Sequence, residues 1–228
     1  MDNHTKHNAH IAASSSLLSI ILALVAGGLI VWFLGYKGYI KLGSKPAGAA
    51  RGFELKLAQH RLWTDHVVWT RQFIVSTLAK LEDAKPALER LLKNQDDLGN
   101  AIEPFYGREA GRKLAELLRE HIVIAGDVVA AAAANNKQKL DASQAQWHKN
   151  AEDIADFLSS ANPENWPKED LVHMLNMHLD LTTQEAVFRL KKDWQSDIAN
   201  FDKILTQALE MADALTDGIC AQFPDKCN

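Results

Sequence analysis

Residues 62–74 read LWTDHVVWTRQFI. At steps of three and four, Trp63, Val67, Thr70 and Ile74 fall on one helical face, beside Leu62, His66, Trp69 and Phe73. The stretch therefore predicts an amphipathic helix with a histidine inside its apolar stripe. The same period recurs along most of the chain, and helices are predicted near 53–81, 86–103, 107–134, 137–160, 167–190 and 190–218. The last two are open to being one continuous helix. Pro86, Pro104, Pro163 and Pro167 stand where one periodic run ends or another begins, as a residue without an N–H and with a fixed φ should. No segment sustains the period-2 alternation of a sheet. The expected fold is all-α: an up-and-down antiparallel bundle of four to six helices, behind a single N-terminal transmembrane helix.

The other stripes repeat the oddity of the first. The second runs Leu88, Leu91, Gln95, Leu98, Ile102; the third runs Ala110, Leu114, Leu117, His121, Ile124, Val128. The fourth has Leu140, Trp147, Asn150, Ile154 and Phe157, with Asp153 flanking Asn150. The fifth has Leu171, Met174, His178, Leu181, Glu185 and Phe188, with Thr182 between its two polar groups. An unpaired buried polar group costs about 1–3 kcal/mol, and a domain has only roughly 5–15 kcal/mol in total. Polar residues on so many packing faces are therefore expected to meet. The candidate ligands are His66, His121, His178 and Glu185, with Gln95, Asn150, Asp153 and Thr182 orienting them.

Three imidazoles and a carboxylate match the donors that zinc, iron and copper prefer, and bundle cores commonly house such sites. No Glu-x-x-His pair precedes His66, His121 or His178, which disfavours a di-iron centre. A haem held by two histidines stays open, without a Cys-x-x-Cys-His attachment. The bland alternative is a hydrogen-bonded network that fixes helix register and binds nothing.

Composition narrows the classes. The chain has 228 residues, 25 Lys+Arg against 29 Asp+Glu, and a net charge of −4. Without a basic run, nucleic acid is not expected as a partner. Hydrophobic content of 47% with 24% charged residues excludes a disordered chain. Two cysteines, Cys220 and Cys227, exclude a disulfide scaffold or a Cys-rich metal module. No Walker loop, dinucleotide fingerprint, nucleophile elbow or His-Glu-x-x-His occurs, so an ordinary kinase, dehydrogenase or hydrolase is disfavoured.

From Ile11 to Tyr36 there is no charge, and residues 17–34 read LLSIILALVAGGLIVWFL. Those residues span roughly 27 Å as a helix, enough for the hydrocarbon core of a bilayer. A cleaved signal peptide has a shorter apolar region, and the first Ala-x-Ala, at Ala47 to Ala49, lies beyond three lysines. The expected organisation is a polar tail (1–10) with His4, His7 and His10, an anchor (11–42) in contact with membrane lipid through 17–34, a linker (43–52), the bundle (53–218) and a C-terminal tail (219–228). Lys37, Lys41, Lys45 and Arg51 follow the span, so the positive-inside bias puts the bundle in the cytoplasm. A Cys220–Cys227 pair would point to the opposite side.

Residues 60–223 resemble a family of uncharacterised bacterial helical proteins. The likeness lies in Trp63-Thr64-Asp65-His66-Val67-Val68-Trp69-Thr70-Arg71, in Asn94-Gln95-Asp96-Asp97-Leu98-Gly99, and in Pro104-Phe105-Tyr106-Gly107. It continues through His121-Ile122-Val123-Ile124-Ala125, Asn150 to Leu158, Asn162-Pro163-Glu164-Asn165-Trp166, and His178-Leu179 with Thr182 and Glu185. The resemblance implies the helical fold and no particular chemistry. It also implies that the membrane helix and the two tail cysteines are this chain's own additions. The expected function is a membrane-tethered bundle whose polar centre binds a metal ion or small ligand, in binding, storage or sensing. The competing expectation is a structural or assembly subunit that docks protein partners or a second copy. An enzyme using Glu185 and a histidine as an acid–base pair ranks last.

Overall fold

The computed structural model describes residues 47–228. The expected anchor, the polar tail and the first part of the linker lie outside the described residues. Within 47–228 the chain is helical throughout, and no helix there is long and apolar enough to cross a membrane. Six long helices follow one another: α1 (Ala47–Ala79), α2 (Ala84–Tyr106), α3 (Arg108–Ala133), α4 (Lys137–Ala161), α5 (Lys168–Lys191) and α6 (Trp194–Gln222). A last turn, α7, spans Pro224–Cys227.

α1 begins six residues before the expected start, taking in Ala47 to Gly52 from the expected linker. Alanine is the strongest helix former. Gly52 is also where α7 comes closest, since a Cβ there would lie 3.2 Å from the carbonyl oxygen of Cys227. The fifth and sixth helices are separate. Lys192 adopts a left-handed conformation (φ 59°), and the Asp193 side chain accepts from the backbone N–H of Ser196 to cap α6. The corresponding turns after α1 and α3 also contain a left-handed residue, Lys80 and Asn135.

Each helix packs on the next, and α6 returns to pack on α1, so the six close into a ring. α1, α3 and α5 also touch one another directly. The bundle is thus three hairpins, α1–α2, α3–α4 and α5–α6, whose first helices face a common centre. The main apolar core fills one half of the centre with Trp63, Leu98, Leu114, Leu118, Ile154, Leu175 and Met211, among others. A smaller group around Ile74, Val129 and Ala186 fills the other.

Two close approaches depend on glycine. α2 and α3 pack so tightly that a Cβ on Gly111 would lie 2.7 Å from the carbonyl oxygen of Gly99, and one on Gly99 would strike the carbonyl of Gly111. Gly218 is covered by the Trp166 indole, whose N–H donates to the carbonyl of Ala214 at 3.3 Å. The expected outcome is that Gly99→Ala and Gly218→Ala each cost about 1–3 kcal/mol through overpacking. Gly126→Ala, which meets only the Phe73 ring at 3.6 Å, should be neutral or gain up to about 1 kcal/mol from helix propensity. Urea denaturation of the three variants checks the contrast.

Candidate functional site: a layer of three histidines

His66, His121 and His178 are all buried, one on the inner face of each hairpin's first helix. The His66 and His178 rings lie 5.6 Å apart between centroids. Trp63 lies against His66, and Trp147 against His121. All three imidazoles meet an amide on the second helix of their own hairpin, and in the second and third hairpins the pattern is the same.

His121 Nδ1 meets Asn150 Oδ1 at 2.8 Å, while Asn150 Nδ2 donates to the carbonyl of Leu117 at 3.1 Å. His178 Nδ1 meets Gln207 Oε1 at 3.0 Å, while Gln207 Nε2 donates to the carbonyl of Met174 at 3.1 Å. Because each amide N–H must face a carbonyl, its oxygen must face the imidazole. An amide oxygen only accepts, so Nδ1 carries the proton and Nε2 the lone pair. In the first hairpin Asn94 Nδ2 donates to the carbonyl of Leu62 at 3.0 Å, and Gln95 Nε2 stands 3.3 Å from His66 Nδ1. Leu62, Leu117 and Met174 each precede their histidine by one turn. Thr70 and Thr182 each donate to the carbonyl of the histidine one turn before them.

The pattern is an internal repeat. His66, His121 and His178 are 55 and 57 residues apart, and each precedes the left-handed turn residue of its hairpin by 14. The amide follows its histidine by 29 residues in the second and third hairpins. It opens the related segments 94–102 (NQDDLGNAI), 150–158 (NAEDIADFL) and 207–215 (QALEMADAL). Gln207 and Asn94 were absent from the expected set, and this recurrence was the signal that would have supplied them.

Of the expected residues, the fold brings together His66, His121, His178, Gln95, Asn150 and Thr182. Asp153 points outward instead, half-buried and paired with Lys149. Glu185 lies two turns beyond His178, roughly 10.5 Å along the helix, in a separate charged layer. There it is bound by Arg71, which also holds Asp197 through two contacts of 2.9 Å; Arg189 completes the group at 3.0 Å from Asp197. Two carboxylates and two guanidiniums balance, which a buried charge cluster requires. Arg71, Asp197 and Arg189 were not foreseen, because the stripe reading tracked apolar positions.

Burial holds all three histidines below their usual range. For His66 the neighbouring imidazoles His178 and His121 add to the effect, and His121 falls to about 3. Burial pushes Glu185 up to about 7 against the pull of Arg71. Desolvation acts on Asp197 too, but Arg71 and Arg189 outweigh it and hold that carboxyl low.

Among the described residues the hydrogen-bond contacts of the three histidines are made at Nδ1, while buried Trp63 Nε1, Trp147 Nε1 and Gln95 Oε1 have no partner. Two small cavities flank the layer along the bundle axis. One, of about 40 Å³, is lined by Trp63, Leu118, Met174 and Met211; the other, of about 50 Å³, is lined by Thr70, Trp147 and Thr182. Neither has room for a porphyrin, so the haem expectation does not fit. Among the described residues no three His, Cys, Asp or Glu side chains stand at the spacing needed to share an ion. The chain matches no protein-family model, no curated protein and no solved structure.

The neutral histidines set a pH dependence of the metal-free protein. A pKa lowered by folding contributes stability that is present above 6.5 and lost as pH falls below it. Glu185, raised, works oppositely: between about 4.5 and 7 only the folded state holds its proton. Three lowered histidines outnumber the one raised carboxyl, so unfolding takes up protons on balance and stability should fall as pH drops below 6.5. Glu185→Gln removes the opposing contribution and should steepen the fall by up to about 1.4 kcal/mol per unit. Urea titrations at pH 7.5, 6.5, 5.5 and 4.5 check both slopes.

Proposed function

We propose that this chain is a membrane-tethered binding protein that takes a metal ion at its tri-histidine layer, for storage or sensing rather than turnover. The observation that carries the reading is the Nε2 lone pair of His121 and of His178, to which no described protein group donates. Their tautomers are fixed by amides whose other ends are fixed in turn. Orienting a ligand imidazole through its other nitrogen is how metal sites are supported. Glu185 has no part in this ligand set, since Arg71 occupies it. Two imidazoles on one ion stand about 5–6 Å apart between ring centres, given metal–nitrogen distances near 2 Å. The His66–His178 separation of 5.6 Å suits that, and binding draws His121 inward.

The test is elemental analysis of detergent-purified full chain, with melting curves in added Zn(II), Co(II) and Cu(II). An ion at 100 times its Kd adds about 2.7 kcal/mol, a rise of roughly 5–10 °C for a domain of this size. The gain should vanish in His178→Gln and persist in Glu185→Gln. A metal-free protein whose melting temperature ignores every ion favours the second reading. In that reading the layer is a register-fixing network in a structural or assembly subunit, and the absence of three side chains at ion-sharing distance supports it.

The tail bears on the side of the membrane. Cys220 and Cys227 form a disulfide, and disulfides persist in oxidising compartments. This supports the bundle lying outside the cytoplasm, against the lysine bias. Protease added to intact cells should then digest the bundle, and alkylation without reductant should label neither cysteine.

A further inference from the structure

The third hairpin departs from the internal repeat near its turn. The positions of Glu185 and Arg189 on α5 hold Phe73 and Thr77 in the first hairpin, and Val128 and Ala132 in the second. Those two hairpins close without a carboxylate or guanidinium there, so folding a hairpin does not require them. Burying charge is costly, and the third hairpin alone places charge at both positions.

Beside this charged layer lies a half-open cavity of about 250 Å³, lined by Leu78, Ala79, Arg189, Leu190, Lys192 and Trp194. Pockets for drug-sized ligands run to roughly 300–1,000 Å³, with apolar walls and a few placed polar groups. This cavity has that make-up and suits a smaller molecule. Leu190 and Trp194 are both exposed. The Trp194 ring is fixed by the Arg189 guanidinium, 4.7 Å from its centroid. Arg189 gives Nη1 to Asp197 at 3.0 Å, and among the described residues nothing accepts from its Nε or Nη2. Those two groups form the guanidinium edge that pairs with a planar, two-oxygen anion.

The charge balance sets the ligand's sign. Arg71 and Arg189 are matched by Glu185 and Asp197. Asp193, next along the turn, accepts from the Ser196 N–H to cap α6. Lys192 has no ion-pair partner among the described residues, so it adds one uncompensated positive charge. A lysine just after a helix C-terminus is ordinary. A guanidinium with an unused edge beside it, in an apolar cavity, is not.

The geometry points to a binding site for a small apolar carboxylate, its oxygens on Arg189 and Lys192 and its ring or chain between Leu78, Leu190 and Trp194. The site shares no residue with the histidine layer, so it stands or falls separately from the metal reading.

The experiment uses full chain in phosphatidylcholine nanodiscs, which carry no net charge, with 5-fluorotryptophan in place of tryptophan. Trp194→Phe assigns the Trp194 fluorine resonance. 2-Naphthoate is titrated as an aromatic probe and hexanoate as an aliphatic one. 2-Naphthalenemethanol, which keeps the ring and lacks the charge, is the comparison. The expected result is a saturable shift of the Trp194 resonance with at least one acid. Lys192→Asn removes the charge and suits a left-handed backbone. It should weaken that acid about fivefold or more, and the alcohol should bind the unaltered chain more weakly by a similar factor. A response to naphthoate alone assigns an aromatic source and one to hexanoate alone an aliphatic source; either supports the site. If neither acid moves the Trp194 resonance, the proposal is overturned. It is equally overturned if the alcohol binds as tightly as the acid, or if Lys192→Asn leaves the acid's affinity unchanged.

Discussion

The second and third hairpins are each held in register by a three-part bridge: an imidazole N–H, an amide, and a backbone carbonyl one turn before the imidazole; in the first, Asn94 takes the carbonyl and Gln95 faces the imidazole. The amide must satisfy two partners on the facing helix at once, and those partners are separated by one helical turn. A slip of the second helix by a residue breaks both bonds and leaves a buried donor and acceptor at about 1–3 kcal/mol each. Apolar stripes alone tolerate such sliding far better, because leucine against leucine is nearly degenerate over small shifts. The bridges therefore decide where the hairpin turns fall, which accounts for the equal offset from each histidine to Lys80, Asn135 and Lys192. With the three hairpins in register, their inner helices meet at one level and the imidazoles come together.

The bundle keeps neutral and charged polar groups in different layers. The histidines are bridged only by amides and stay neutral, whereas the full charges of Arg71, Glu185, Asp197 and Arg189 gather two turns away. The separation has a physical basis. A guanidinium beside the imidazoles would be repelled by any cation placed there, and a carboxylate would pull their pKa values upward and charge them. Apolar cavities on both sides of the histidine layer keep it at low dielectric, which sustains the neutral state.

Much of this was legible in the sequence. The helical spans, with the last two left open to being one, the inward histidines and two of the amides followed from periodicity, because a polar residue on an apolar stripe is conspicuous. Gln207 was not, since the reading of the last helix extended to its span and not to its stripe. Glu185 shares a face with His178, but a spacing of seven residues preserves the face and changes the height. Periodicity reports angle around a helix well and height between helices poorly. Asp153 failed the other way: three residues from Asn150 it lies only about 4.5 Å along the axis, yet about 60° around the helix. The early start of α1 was hidden because its small residues read as a linker until Cys227 was seen to pack there.

The repetition itself bears on purpose. Replacing a buried polar pair by apolar residues of similar shape is often neutral or stabilising, so a core selected for stability alone has little reason to hold such a pair. One bridge is enough to fix the register of one hairpin, and a polar residue retained for specificity is usually single. Here three bridges survive in one chain whose hairpins have otherwise diverged. The first uses two adjacent amides, the second has Ala125 where the others have threonine, and the third has Gln207 in place of asparagine. What stays constant is the imidazole, its level, and an amide of the facing helix at its Nδ1. Helix packing by itself does not demand such constancy, which is why a binding role is proposed.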